Sequence, residues 1–188
     1  MSFTTLLIPT HTHMLKALSG WLEKAEVQRG EAGAGAILSA RLAPDMFPLA
    51  TQVRFACVQA YEAAHRLRGL AFPALIGELL DEGRNAADQP GSLASARARI
   101  AETVAFLETL EPGALDVSAD SPIAHELANG MIFDLTAEQY VRDWALGQFY
   151  FHIMAAYAIL RSEFIEVGKA DYIPHLLPHL RSGTGPRG

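Results

Sequence analysis

The sequence predicts an all-α protein: a four-helix bundle with a small β-hairpin before its last long helix. Four segments carry apolar residues at the three- and four-residue spacing of amphipathic helices. An Asn-Gly dipeptide between two short apolar runs predicts the hairpin. The chain has 188 residues, half of them hydrophobic and 19% charged, which suits a single domain, 1–188, with a sizeable core. We expect its last part, residues 168–188, to be a loosely held tail because it is rich in Pro and Gly.

Charge and composition argue against several classes of partner. The net charge of −6, from 21 acidic and 15 basic residues, argues against nucleic-acid binding, which needs clustered Lys and Arg. The longest apolar run, around His152, would span only about 20 Å as a helix, so we expect no membrane partner. The N-terminus shows no signal-peptide pattern. The single cysteine, Cys57, excludes an internal disulfide, and we expect a cytoplasmic protein.

The first two helices are predicted from their apolar stripes. The first helix covers residues 10–29 and is closed by Gly30. The second begins at Pro44 or Asp45, where the Asp45 carboxylate serves the exposed amides of the first turn, and Gly69 ends it. Each of these two helices therefore has one apolar face that can pack in a hydrophobic core.

Cap and turn residues place the remaining elements. Residues 70–91 are expected to form a helical turn or two and a loop. Ser92 caps a third helix, which Pro112-Gly113 ends. Asn129-Gly130 predicts a tight hairpin turn with positive φ at both residues. The pattern Thr136-Ala-Glu-Gln139 is a capping box and opens the last long helix.

The last long helix contains the stretch QFYFHIMAAYAILR, residues 148–161, which is apolar on every side except for His152. Gln148 shares the face of His152, Tyr157 lies on the opposite side, and Gly147 is the place for a bend. A bundle covers one face of each helix, so the other face of this one needs a partner. We expect a homodimer through the last long helix.

Two interpretations of His152 stay open. It is either a core histidine whose ring pairs with a backbone carbonyl, a Tyr or Gln52, or it lines a pocket between helices that binds a small apolar ligand. The candidate pocket residues are His152, Gln52, Gln148, Tyr157 and Asp45. We assign no catalytic residue and no metal ligand.

A second cluster lies on the second helix, where Tyr61 and His65 are four residues apart with Glu62 beside them. Such a cluster can work as a general acid and base. A Tyr and a His at this spacing on a boundary face are more often only hydrogen-bonded. We therefore give the cluster a structural role.

Two long motifs carry a family resemblance. They are RLAPDMFPLA, residues 41–50, followed by Gln52-Val53, and FYFH...AYAILR, residues 149–161, followed by Gly168-Lys169 and Asp171. They resemble a bacterial family known as a domain of unknown function, which is similar in fold to the DinB/YfiT-like superfamily. The resemblance covers nearly the whole chain and implies a four-helix bundle of DinB type, commonly dimeric.

The same resemblance bears on metal binding. DinB-like sites use one His from the second helix and an HxxxH pair from the fourth. Here the residue four positions after His152 is Ala156, and Gln52 is the matching position on the second helix. One imidazole and one amide make a poor zinc or nickel site. We therefore expect an incomplete metal site and no cofactor.

Two functions are consistent with these observations. The first is a dimeric helical-bundle protein of uncharacterised activity that binds a small apolar ligand near His152. The alternative is a metal-dependent thiol transferase-like enzyme of the DinB type, which rests on fold analogy alone.

Overall fold

The structure is a computed structural model that describes residues 2–127 and 129–184, without the side chain of Glu31. Its elements follow in chain order: α1 (Phe3–Ile37), α2 (Leu49–Leu67), α3 (Ala74–Arg84), α4 (Leu93–Glu108), β1 (Pro122–Glu126), β2 (Ile132–Thr136), α5 (Ala137–Gln139), a π-helical segment (Tyr140–Ala145), α6 (Leu146–Ser162), α7 (Lys169–Tyr172) and a 3₁₀ segment (Pro174–His179). The predicted all-α architecture with a small hairpin before the last long helix is confirmed.

The long helices α1, α2, α4 and α6 enclose the main core. Helix α2 packs on α6, α3 and α4, while α1 packs on α4 and α6. Their apolar stripes meet in one cluster, whose largest fully buried members include Trp21, Phe149, Leu15, Leu22 and Ile100. Because α2 contacts three other helices, polar side chains on α2 lie close to residues from several parts of the chain. No helix within the described ranges is both long and apolar enough to cross a bilayer.

Helix α1 is longer than the sequence predicts. It begins at the N-cap Ser2, whose Oγ accepts a hydrogen bond from the Thr5 amide at 3.1 Å. Pro9 lies inside the helix, since its φ is compatible with helical backbone and its missing N–H costs a single bond. At Gly30 the backbone has φ 70° and ψ 167°. The expected helix end is thus a sharp kink, which glycine tolerates because it has no Cβ.

Helix α2 begins at Leu49, so a start at Pro44 or Asp45 was wrong. Pro48 is the N-cap and has extended backbone, with φ −72° and ψ 169°. A proline also disfavours helical backbone in the residue before it, which prevents the helix from extending back through Phe47. Asp45 instead lies exposed in the preceding turn and caps no helix. At the other end, Gly69 follows the helix with positive φ as predicted.

Strands β1 and β2 are antiparallel, with Glu126 opposite Ile132 and Pro122 opposite Thr136. Five residues, 127–131, connect the strands, so the predicted two-residue turn was wrong. Gly130 does take positive φ, 84°, and its amide donates to the carbonyl of Leu127 at 2.9 Å. The longer loop places the strand ends farther from the Asn-Gly dipeptide than a tight turn would.

The capping box at the start of the last long helix is confirmed. The Thr136 hydroxyl accepts from the Gln139 amide at 3.2 Å, and the Gln139 side chain accepts from the Thr136 amide at 2.9 Å. The departure from regular α-helix lies in residues 140–145, upstream of Gly147, and is a π-helical segment. Such segments shift the phase of a helix and are frequent at functional sites. Here the segment contains Trp144.

The start of the C-terminal segment is attached to α1. The indole nitrogen of Trp21 donates to the carbonyl of Asp171 at 2.9 Å, and Lys24 Nζ lies 2.6 Å from the Asp171 carboxylate. Tyr172 stacks on Trp21 with ring centroids 5.9 Å apart. Residues 180–184 are exposed, and a loosely held tail beyond α7 stays a prediction.

Candidate functional site

Two polar stripes face each other between α2 and the last helix. Gln59 and Glu62 interrupt an otherwise apolar part of α2 at helical spacing. Trp144, Gln148 and His152 follow one another at four-residue intervals in the last helix. A cavity of about 400 Å³ lies between the stripes and is bordered by α3 and β1. Its lining residues are Phe47, Phe55, Val58, Gln59, Glu62, Leu80, Arg84, His125, Glu126, Leu127, Trp144, Gln148 and His152.

Gln52 fixes the orientation of the His152 ring from behind the cavity. The amide nitrogen of Gln52 donates to the carbonyl of Phe47 at 3.2 Å, which leaves its Oε1 to face His152. That oxygen is 2.9 Å from Nδ1 of His152. Since an amide oxygen only accepts, Nδ1 must carry the proton and donate. The other ring nitrogen, Nε2, then has a free lone pair.

His152 is neutral in this environment. Its side chain is only 8% exposed, and burial lowers its pKa from 6.5 to about 4. An imidazole with this pKa is a weak base at neutral pH, so we do not expect it to act as a general base. A neutral ring with one nitrogen held by Gln52 is suited to accept a hydrogen bond at Nε2 from a bound molecule.

The rest of the cavity wall near His152 is aromatic and aliphatic. The ring of Phe55 meets His152 edge-on at 5.4 Å between centroids, and Phe47 meets Phe55 edge-on at 5.6 Å. Helix α3 holds Phe55 from the other side, because Gly83 has no side chain and its backbone approaches the ring directly. The hydroxyl of Thr51 donates to the Gly83 carbonyl at 2.7 Å and fixes this approach.

Several buried polar atoms around the cavity have no hydrogen-bond partner within residues 2–127 and 129–184. They are Oε1 of Gln59, Nε1 of Trp144 and both ring nitrogens of His125. His125 is 2% exposed and lies 4.1 Å from the Trp144 ring between centroids. Burial lowers its pKa to about 4, with the nearby charge of Arg66 acting in the same direction. Buried polar groups are normally paired, so these atoms are positions where a bound molecule or a water can form hydrogen bonds.

Glu62 is a charged residue shared by two neighbouring cavities. It lines both the 400 Å³ cavity and a neighbouring cavity of about 770 Å³ beneath the hairpin. Its half-buried carboxylate makes no hydrogen bond or ion pair with any described residue. Burial raises the pKa of the Glu62 carboxyl, and the charge of Arg66 opposes that shift without cancelling it.

The structure brings together three of the five residues that the sequence indicated. Gln52 and His152 are hydrogen-bonded, and Gln148 lies one turn before His152 in the cavity wall. Tyr157 is elsewhere, with its hydroxyl 3.4 Å from the carbonyl of Val167. The fifth residue, Asp45, lies in the exposed turn before α2.

Sequence reasoning missed Gln59, His125 and Trp144, and considered Glu62 only beside Tyr61. The seven-residue spacing from Gln52 to Gln59 was a usable signal, because it places both on one face of a helix. His125 gave no such signal, since its neighbours in space come from a different part of the chain.

Tyr61 and His65 lie apart from this site. Nδ1 of His65 pairs with the backbone carbonyl of Tyr61 at 2.8 Å. Both rings stack on Phe106 of α4, at 4.5 Å for Tyr61 and 5.3 Å for His65. Their contacts are those of packing between α2 and α4.

Three buried histidines make acid conditions destabilising. Burial lowers the pKa of His11 to about 3 and those of His125 and His152 to about 4, from 6.5. Below pH 6.5 the unfolded chain binds protons that the folded chain does not. The stabilisation is therefore complete above that pH and is lost as the pH falls toward 4.

We expect the free energy of unfolding, measured by urea titration, to fall by up to about 1.4 kcal/mol per histidine per pH unit below 6.5. His11→Phe should reduce this slope, whereas His179→Phe, at an exposed position, should not. A stability that stays constant from pH 7 to pH 5 would contradict the neutral burial of these rings.

Comparison with known proteins gives relatives in both sequence and fold. The family described as domain of unknown function (DUF1993) matches residues 3–173. A crystal structure of a DinB family member protein from Shewanella denitrificans is 31% identical, covers 90% of each chain and has a TM-score of 0.70. No protein of curated function matches the chain.

The DinB likeness raises the question of a metal, and the residues that we matched to DinB-type ligands from the sequence do not fit one. Gln52, His152 and Ala156 supply one imidazole, and Nδ1 of that imidazole is already bonded to Gln52. Zinc and nickel sites need about three nitrogen, sulfur or carboxylate ligands. Among the described residues, no three His, Cys, Asp or Glu side chains are grouped to hold a metal ion. We derive no metal-dependent step.

Proposed function

The chain belongs to the family described as domain of unknown function (DUF1993), whose fold here is DinB-like, and we propose that it is a homodimeric protein that binds a small, largely apolar molecule beside His152. The observation that carries the proposal is the bond between Gln52 and His152, which leaves Nε2 as an oriented acceptor at an aromatic wall. Such a combination of apolar walls and a few fixed polar groups is typical of ligand pockets.

The size and composition of the cavity support this proposal. A volume of about 400 Å³ is within the range of small-molecule sites, roughly 300–1,000 Å³. Phe47, Phe55 and Trp144 supply apolar contact, while Gln148 and His152 supply hydrogen bonds. The ligand would be a ring-sized molecule that carries at least one donor for Nε2.

The alternative predicted from the sequence, a metal-dependent thiol transferase-like enzyme, finds less support. Its chemistry would need the three metal ligands of DinB-like sites, and the positions of Gln52 and Ala156 do not provide them. The low pKa of His152 also disfavours acid–base work at neutral pH. Binding is therefore the function that we put forward.

Benzyl alcohol is a simple probe of the site because it has one aromatic ring and one hydroxyl donor. We expect it to bind with a dissociation constant of about 1 mM and to shift the amide NMR signals of residues that line the cavity. His152→Phe keeps a flat ring but removes the acceptor, so binding should weaken about tenfold, the effect of one good hydrogen bond.

The matched control is His179→Phe, which changes an exposed histidine outside the cavity and should leave binding unchanged. Melting temperatures of both variants verify that they are folded. Benzyl alcohol that shifts no cavity amide, or that binds a folded His152→Phe variant as well as the parent chain, would contradict the proposal.

The homodimer is proposed from the outer side of α6. Tyr150, Phe151 and Met154 are large apolar side chains that are exposed on this helix, with Phe151 56% exposed. A contiguous exposed apolar stripe commonly marks a protein–protein interface. A second copy of the chain can cover it by two-fold symmetry, with each α6 contacting the other.

We also propose that the protein works in the cytoplasm and without nucleic acid. The support is its single cysteine, Cys57, which is buried and whose pKa burial raises to about 11, so no disulfide is needed for stability. The net charge of −6 disfavours binding to phosphate backbones.

A further inference from the structure

We propose that the cavity beside His152 selects a small organic amine, bound as its cation between the Glu62 carboxylate and an aromatic wall. The inference rests on the proposed function, since it names the chemical class of the ligand in the same cavity. Three features support it: an unpaired carboxylate, hydrogen-bond acceptors that need donors, and aromatic rings.

Glu62 has the position and the charge for an ammonium group. It lies on the side of α2 that faces the hairpin and forms part of the wall of both cavities. Its carboxylate is half-buried, and no described residue lies within ion-pair distance of it. A half-buried charge without a partner is costly, and a bound cation would remove that cost.

Two arginines line the cavities that Glu62 borders, and both make contacts with other residues. Arg66 donates to the backbone carbonyls of Ala124 and Glu126, at 3.0 and 3.4 Å, and its guanidinium lies 4.8 Å above the ring of Phe72. Arg84 is half exposed and lies 3.7 Å from Asp81. Neither forms an ion pair with the Glu62 carboxylate, so that pairing position is left for a ligand.

Two acceptors near Glu62 can pair with a ligand that carries donors, while Trp144 Nε1, in the same cavity wall, is a donor that is unpaired within the described residues. Oε1 of Gln59 is buried without a partner one helical turn before Glu62. His152 is more than nine-tenths buried, and its Nε2 has no hydrogen-bond partner within the described residues. Carboxylate, amide oxygen and unprotonated imidazole nitrogen are all acceptors, and an ammonium group is a donor with no acceptor.

Aromatic rings complete the surroundings expected for an organic cation. Trp144, Phe47 and Phe55 form part of the same cavity wall. The faces of such rings attract ammonium groups and also take up the apolar part of an amine. An anionic ligand would instead be repelled by the Glu62 carboxylate.

Three ligands of one shape test the inference: benzylamine, benzyl alcohol and benzoate, which are cationic, neutral and anionic at pH 7.5. Their affinities are measured by calorimetry or NMR titration on the full chain. We expect benzylamine to bind at least about tenfold more tightly than benzyl alcohol, and benzoate to bind most weakly. Glu62→Gln, which keeps the shape and removes the charge, should bring benzylamine to within about twofold of benzyl alcohol.

Glu111→Gln is the matched control, because it removes the same charge at an exposed position outside both cavities. Equal or tighter binding of benzyl alcohol than of benzylamine by the parent chain overturns the inference and leaves the proposed function standing. A benzylamine affinity that Glu62→Gln does not change also overturns it. If none of the three ligands binds, the proposed function fails as well.

Discussion

Gln52→His combined with Ala156→His should turn the protein into a stoichiometric zinc binder, with a dissociation constant below about 1 µM. The double variant would present three imidazoles at positions 52, 152 and 156. Zinc also stabilises only the folded chain, so its addition should raise the melting temperature. Elemental analysis of untagged protein and a thermal melt with and without zinc measure both effects.

The expected gain in zinc affinity follows from the contact between α2 and α6. Gln52 Oε1 and His152 Nδ1 are 2.9 Å apart, close to the roughly 3.3 Å that separates two ligand atoms on a tetrahedral zinc with bonds of about 2.0–2.1 Å. Residues 152 and 156 are four apart in α6 and share a face. We therefore expect histidines at positions 52, 152 and 156 to come close enough to bind one zinc ion.

The single variants are the controls. Gln52→His and Ala156→His each give two imidazoles, too few for a tight site, and should bind zinc at least about 100-fold more weakly than the double variant. Ala156 is fully buried, so the folded state of each variant is checked by circular dichroism. A folded double variant that binds no zinc would contradict the proposed equivalence of these positions with DinB-type ligands.

Phe151→Glu combined with Met154→Glu should convert the protein from dimer to monomer. Both side chains are largely exposed on α6, so the charges cost little in a single chain. In a two-fold interface each substitution appears twice and places unpaired carboxylates in an apolar contact. Size-exclusion chromatography with light scattering at micromolar concentration should show the parent chain at about twice the mass of the variant.

Val27→Glu is the matched control, because Val27 is 81% exposed on α1 and is not part of the α6 stripe. It should remain a dimer. A parent chain that is monomeric at micromolar concentration, or a double variant that stays dimeric, would refute an interface through α6.

The two double variants test different sides of α6. The side of α6 that carries Gln148 and His152 lines the cavity, while Phe151 and Met154 face outward. One side of residues 148–161 fills the core and the cavity wall, and we propose that the other side contacts a second copy of the chain.

Local signals in the sequence were sufficient for the helices, the caps and one half of the site. Ser92 and Thr136 cap their helices as predicted, because capping depends on residues three positions apart. Gln52 was a predicted partner of His152, and the two are hydrogen-bonded. That prediction rested on the rule that buried polar groups are normally paired, and it left a backbone carbonyl or a Tyr open as other partners.

Other features depended on contacts between distant parts of the chain. We predicted Asp45 at the start of the second helix, but Pro48 is the N-cap and the helix begins after it. The hydroxyl of Tyr157 donates to the carbonyl of Val167 and does not line the cavity. The sequence did not reveal that the Glu62 carboxylate lacks an ion-pair partner among the described residues. That property depends on Arg66, which donates instead to backbone carbonyls of the hairpin. Helix periodicity and capping depend on residues that are close along the chain, so they can be predicted from the sequence. The unpaired charge, the orphaned His125 ring and the exposed side of α6 arise only when β1, α2 and α6 meet, since burial and pairing are properties of neighbours in space.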